Sequence, residues 1–185
     1  GEGGGRNVLF FSGDDGATWS ASVETPAVGI VPDKLLELAS GRWIVSCHER
    51  DAELGVLAQR LWYSDDQGER WEGPVVVARR AGLNLCEVSI LPVEGTLVGF
   101  LRENSGRGLD CFKVMSADGG ATWSEPVAFP LPGCHRPVAG LLRDGRVLIT
   151  YRFHQGGERF GGGGAQSFLA SQNFFAALTD RQSVL

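Results

Sequence analysis

The chain has 185 residues, 43% hydrophobic and 21% charged, ordinary proportions for a globular protein large enough to bury a sizeable core. A formal net charge of −5 argues against a nucleic-acid partner, which draws on a basic surface, and no apolar run reaches the roughly 18 residues of a membrane-spanning helix. The opening GEGGGR contains no initiator Met, signal peptide or transit peptide, so the export route cannot be read and an extracellular or periplasmic location stays open.

In chain order, the first feature is an eight-residue motif, SGDDGATW, from Ser12 to Trp19. It returns as SDDQGERW from Ser64 to Trp71 and as SADGGATW from Ser116 to Trp123, each step being 52 residues. Two equal steps of this size mark a repeat architecture, solenoid or propeller. Between the copies lie hairpin patterns: DKLLELASGRWIVSCH turning at Ser40-Gly41, EVSILPVEGTLVGFLR turning at Glu94-Gly95, and, after the third copy, RPVAGLLRDGRVLITYR turning at Asp144-Gly145. A further strand such as CFKVMS follows the hairpin, then the motif, then a last strand beginning WEGPVVV or WSEPVAF. Four strands per period, with no amphipathic helix, predict four-stranded antiparallel propeller blades. The expected units are half a blade over 1–29, full blades over 30–80 and 81–131, and an incomplete blade over 132–185. Gly161 to Gly164 lacks the strand, helix and Lys of a phosphate loop and reads as a plain loop.

The repeated motif reads as scaffolding, because a residue set present in every blade is not a unique catalytic centre. Asp14, Asp66 and Asp118 would accept hydrogen bonds from turn N–H groups, Gly16, Gly68 and Gly120 would supply positive φ, and Trp19, Trp71 and Trp123 would pack between neighbouring strands. Four cysteines, at 47, 86, 111 and 134, lack metal-site spacing and read as buried thiols, with a disulfide between neighbouring repeats open if the protein is secreted.

The motif S-x-D-x-G-x-T-W resembles the Asp-box of the sialidase (neuraminidase) superfamily, fully in the first and third copies and with Arg70 in place of Thr in the second. The resemblance implies an all-β, six-bladed propeller of which this chain is a fragment of about three and a half blades. It also implies an exo-acting glycoside hydrolase on glycan or glycoconjugate substrates, needing no cofactor.

Candidate chemistry comes from register. A hairpin closed by a two-residue turn places Glu87 opposite Arg102, at the open end of the Glu94-Gly95 hairpin. The same rule places Arg136 opposite Phe153, Pro137 opposite Arg152, His135 opposite His154, and Asp33 opposite His48. LCEVSILPVEGTLVGFLREN is similar to the sialidase segment in which a glutamate opens one strand and an arginine closes the next. The resemblance implies that Glu87 activates a nucleophilic tyrosine and that Arg102 belongs to an arginine triad gripping the sugar carboxylate. A cross-strand salt bridge is the bland alternative for this pair. Arg136, in HRPV, resembles an Arg-x-Pro opening and reads as a ligand or a rim residue; Arg152 is a further candidate for substrate binding. His48 with Asp33 reads as an acid–base pair or a structural histidine. A further triad arginine expected near SQNFFAALTD is replaced by Gln172 and Asn173, which leaves another terminal sugar, or a uronic or ulosonic acid, open. A non-catalytic propeller that binds glycans or protein partners is the alternative to an enzyme.

Overall fold

The structure, a computed structural model, describes residues 5–31, 33–154 and 172–185, and every regular element among them is a β-strand. Gly161 to Gly164 lies outside the described residues. Strands β1 (Arg6–Leu9) and β2 (Val23–Val28) pair as a two-stranded sheet. The second sheet joins β3 (Leu36–Glu37), β4 (Trp43–Arg50), β5 (Leu57–Ser64) and β6 (Glu72–Ala78) in chain order. The third repeats this with β7 (Leu85–Val93), β8 (Thr96–Glu103), β9 (Phe112–Ser116) and β10 (Val127–Ala128). In the fourth, β11 (Cys134–Leu141), β12 (Val147–His154) and β13 (Gln172–Thr179) form three strands. All these pairings are antiparallel.

Alternation along the strands explains the stacking. In β8, Leu97 and Leu101 face the second sheet and join Ile44 and Leu61, whereas Val98 and Phe100 face the fourth sheet and join Ala139, Val147 and Ile149. In β7, Val88 and Ile90 go one way and Leu91 and Val93 the other. A strand apolar on both faces is stable only between two other sheets, and each fully buried Val, Leu or Phe contributes roughly 1.5–3 kcal/mol. A smaller cluster of Ala27, Val45, Cys47 and Trp62 joins the first sheet to the second. The end faces lack this cover: Phe174 is 85% exposed, and Val138, Leu178, Val8 and Phe10 are also exposed.

The eight-residue motif connects β5 to β6 and β9 to β10, as it also connects β1 to β2. In the third copy, Asp118 Oδ1 accepts the N–H of Thr122 at 2.9 Å and Oδ2 accepts its hydroxyl at 2.6 Å. Ser116 Oγ donates to the same carboxylate and accepts the N–H of Gly120. Gly120 has φ +92°, and a Cβ there would meet Ile44 of the second sheet at 3.4 Å. The first copy repeats the network around Asp14, with Thr18. In the second, the Asp66 carboxylate accepts the Ser64 hydroxyl and the backbone N–H of residue 70, each at 2.8 Å, but no side-chain hydroxyl from residue 70, which is Arg. The Thr hydroxyl, then the Thr N–H, hold Asp14 and Asp118 at a pKa of about 2, well below the usual carboxylate value. Trp71 and Trp123 pack against the cores between sheets, but Trp19 is 62% exposed, because no sheet among the described residues covers the face on which it lies.

Two of the three hairpins differ from the two-residue reading. Glu94 and Gly95 both have positive φ, 49° and 85°, and close a two-residue turn between Val93 and Thr96, as expected. Ser40-Gly41 and Asp144-Gly145 instead belong to three-residue loops, closed by Leu38 with Arg42 and by Leu142 with Arg146. Their registers are shifted accordingly: Leu36 pairs with Ile44, and Leu141 with Val147.

The motif's role is testable on stability. Asp118→Ala should lower the melting temperature by roughly 2–4 °C at pH 7, read by calorimetry. Because Asp118 titrates lower when folded than the roughly 3.9 of an unfolded Asp, its contribution is complete above that value and lost as pH falls toward 2. The gap between variant and parent should therefore close over that interval; a gap unchanged at pH 2 would contradict the carboxylate's role.

Candidate functional site

The candidate residues converge where the β7, β8, β11 and β12 ends meet. The β7–β8 ladder is regular from Ser89–Phe100 to Val93–Thr96, then slips by one residue between Ser89 and Cys86. This bulge puts Cys86, not Glu87, opposite Arg102, and sets Glu87 at φ +45°. The expected pairing is corrected at the backbone, yet the side chains still meet: Arg102 Nη1 binds the Glu87 carboxylate, each side chain being 16% exposed. A second bulge lies between His135 and Val138 in β11, where Arg136 has φ +55°. His135 therefore faces Arg152, and Cys134 faces Phe153, in place of the expected Pro137–Arg152, Arg136–Phe153 and His135–His154 pairs. Positive φ is costly for residues with a Cβ, on the order of 1 kcal/mol or more, and here it occurs at two ionisable residues in consecutive sheets.

The bulges aim the side chains across the seam between the third and fourth sheets. Arg136 Nε lies 3.4 Å from Glu87 Oε1, so the carboxylate sits between two guanidiniums. Arg102 also donates from Nε to His135 Nε2 at 2.8 Å and from Nη2 to Asn104 Oδ1 at 2.8 Å. His135, buried in β11, thus carries its proton on Nδ1 when neutral. Burial, then the positive charges of Arg102 and Arg136, lower the pKa of Arg152, while Glu87 opposes the shift. Three guanidiniums around one carboxylate leave surplus positive charge, suited to an anionic group. A hollow of about 170 Å³ beside the cluster is lined by Arg136, Arg152, Val138, Thr150, Tyr151 and Phe174.

His48 lies next to Glu87 but is not partnered by Asp33. Ile30, not Asp33, bridges to it, through reciprocal backbone bonds. Gly29 permits the approach, since a Cβ there would lie 2.5 Å from the His48 carbonyl oxygen. His48 Nδ1 accepts the N–H of Glu87 at 3.4 Å, which supports the bulge rather than forming an acid–base pair with Asp33. Burial lowers the His48 pKa; nearby Glu87 opposes the shift and Arg102 adds to it. Asp33 instead accepts the hydroxyl of buried Ser89 at 3.1 Å, and the same hydroxyl accepts the N–H of Ala139 at 3.1 Å. One side chain therefore joins edge strands β7 and β11 of the third and fourth sheets to the segment that leads into β3.

All five candidates, Glu87, Arg102, Arg136, Arg152 and His48, fall in one neighbourhood. His135 and Asn104 join it through Arg102; the sequence places His135 at the open end of its hairpin, next to Arg136, without giving it a role, and gives no signal for Asn104. Gln172 and Asn173 open β13 beside His154 and Phe153 of β12. Of the two tyrosines, Tyr63 lies elsewhere and donates to Glu72 at 2.7 Å, whereas Tyr151 lines the hollow beside Arg136 and Arg152 and packs into the core between the third and fourth sheets. Among the described residues no group of three or more His, Cys, Asp or Glu could hold a metal ion, and no helix is long and apolar enough to cross a membrane.

Stacked antiparallel sheets carrying a 52-residue repeat define a repeat protein of sheet-on-sheet design. The chain belongs to the family of BNR repeat-like domains, which it matches over residues 2–161, and this bears out the motif's resemblance to the sialidase superfamily. A comparison with curated proteins returned no match. Among solved structures it is similar to a protein of unknown function from Dyadobacter fermentans, at 22% identity and a TM-score of 0.70, over 95% of this chain and 48% of that one. It is similar to the NanB sialidase of Streptococcus pneumoniae at 17% identity and a TM-score of 0.60, over 77% of this chain and 23% of that one. The Arb93A α-L-arabinofuranosidase of Fusarium graminearum is similar at 16% identity and a TM-score of 0.67, over 97% of this chain and 56% of that one. At these identities the likeness is one of fold, and the chain spans between about a quarter and just over half of those lengths.

The electrostatics of His48 can be checked directly. Its imidazole resonance should titrate with a midpoint below the 6.5 of an unperturbed histidine, because burial disfavours the cation. By linkage, the contribution of neutral His48 is complete above about pH 6.5 and lost as pH falls through its lowered folded value. An NMR midpoint above 6.5 would overturn this assignment.

Proposed function

We propose that this chain is about three and a half blades of a six-bladed propeller, with units at 1–29, 30–80, 81–131 and 132–185. The whole would be a sialidase-like exo-glycoside hydrolase that removes a terminal, acidic sugar with retention of configuration. The observation that carries this reading is the Glu87 carboxylate held between Arg102 and Arg136 at the seam of two sheets, with Arg152 beside them. Glu87 would serve as the base that lowers the cost of ionising a tyrosine nucleophile contributed by another blade. A phenol attacks near an anionic sugar without the repulsion that a carboxylate would meet. Arg102, with Arg136 and Arg152, would receive the sugar carboxylate through planar, permanently charged forks. His48 would line the site and hold the backbone of Glu87.

The second reading is a non-catalytic propeller that binds glycans or protein partners at the same mouth. It is favoured by one observation: Glu87 is already satisfied by two arginines, as a structural ion pair would be. The likeness to an arabinofuranosidase supports a third sugar class on the same scaffold.

Kinetics on the complete protein separate these readings. Glu87→Gln should lower kcat by roughly two to four orders of magnitude with little change in KM, the scale of lost general-base assistance. Arg102→Lys should raise KM for acidic 4-methylumbelliferyl glycosides more than for neutral ones, because one ammonium does not reproduce a bidentate fork. Equal turnover by wild type and Glu87→Gln would sink the catalytic role. Equal, small losses of stability in both variants, without a kinetic defect, would indicate a plain ion pair.

The blade count has its own test. The isolated chain, with Phe174, Leu178 and Trp19 uncovered at its ends, should self-associate in size-exclusion chromatography. A sharp monomeric peak with cooperative melting would count against a six-bladed whole.

A further inference from the structure

We infer that Cys111 and Cys134 form a disulfide that staples the third sheet to the fourth when the protein meets an oxidant. Both are free and buried, and both belong to the apolar cluster between those sheets. The Cys111 thiol points at the Phe129 carbonyl, 3.9 Å away, on the short segment that leads into Cys134, and the two thiols are near enough to affect each other's ionisation. The backbone on either side is already fixed: Asp110 Oδ1 accepts the N–H of Gly133 at 2.8 Å, the Cys111 carbonyl accepts the N–H of Phe129 at 2.9 Å, and the Cys134 N–H reaches the Leu131 carbonyl at 3.1 Å. A bond between the two sulfurs therefore closes a gap across which the flanking residues are already joined. The other two cysteines have different surroundings. Cys47 donates to the Val28 carbonyl at 2.7 Å in the core between the first and second sheets, and burial pushes Cys86 up to about 12.

The oxidant would be a small-molecule disulfide such as oxidised glutathione. One protein thiolate attacks it, releasing one small thiol and leaving a mixed disulfide; the second protein thiolate then displaces the other small thiol. One S–S bond breaks in the oxidant and one forms in the protein, and the two electrons and two protons lost by the cysteines end on the released thiols. The contact with Cys111, together with burial, holds the Cys134 thiol far above its ordinary pKa, so the thiolate is scarce at neutral pH. The bond should form readily while the chain folds and slowly in the native state. Once formed it ties down the residue directly before His135 and Arg136, and closes a loop of about 20 residues.

The test uses the whole chain, refolded with oxidised glutathione or with dithiothreitol, then denatured in N-ethylmaleimide and weighed intact. The oxidised sample should take up two maleimides and the reduced sample four, and peptide mapping should place the link between residues 111 and 134. The oxidised protein should melt on the order of 5–10 °C higher, and dithiothreitol should abolish the gain. Cys134→Ala and Cys111→Ala should each remove both the link and the gain. Four labelled cysteines after oxidation, glutathione adducts without a cross-link, a link to Cys47 or Cys86, or a link without a gain in melting temperature would each overturn the inference. The mass readout needs only the wild-type chain, so it stands even if a variant fails to fold.

Discussion

Burial of both faces of a sheet is the constraint on which everything else rests. The third sheet contributes Val88, Ile90, Leu97 and Leu101 to one neighbour and Leu91, Val93, Val98 and Phe100 to the other, so both faces of its β7–β8 pair are covered. Such a sheet is stable only as the middle of a stack, and the stack fixes what each end of each strand can meet. The Asp-centred turns serve this arrangement. Arg42 forks onto Asp65 of the second motif, 2.7 Å on each nitrogen, and reaches the Gly119 carbonyl of the third at 3.3 Å, so the turns of successive sheets are tied to one another.

The charged cluster is a product of the seam rather than of any one sheet. Glu87 and Arg102 come from the third sheet, Arg136, His135 and Arg152 from the fourth, and His48 supports the third from the second. Two positive-φ residues raise these side chains to a common level. Gly or Asn would be more comfortable at either place, so the side-chain chemistry has outweighed local backbone preference there.

The strand plan was legible because period-2 alternation and the spacing of Ser12, Ser64 and Ser116 are local signals. Glu94-Gly95 was read correctly because a turn with two positive-φ positions is a dipeptide property. Asp144-Gly145 was read one residue short, since the same dipeptide also ends a three-residue loop, and only tertiary packing chooses between them. The bulges were missed as well. Pro137 carries a hint, because a residue without an N–H is confined within sheets to an edge strand, a strand start or a bulge, but nothing beside Glu87 is comparable. Clustering of the site residues survived these errors because a slip of one register moves a backbone by a few ångströms, well within the reach of Arg and Glu. The link from Arg102 to His135 spans two sheets and has no local signature.

The hydroxyl of Ser89 has a mechanical consequence. It fastens Asp33, in the segment that leads into β3, to its own strand β7 and to Ala139 of β11 at a single point, β7 and β11 being edge strands of successive sheets. Removing that hydroxyl would take a hydrogen-bond partner from the Asp33 carboxylate and from the buried Ala139 N–H in one step, loosening β7 from the segment on one side and from β11 on the other, at the seam across which Glu87 and Arg136 meet.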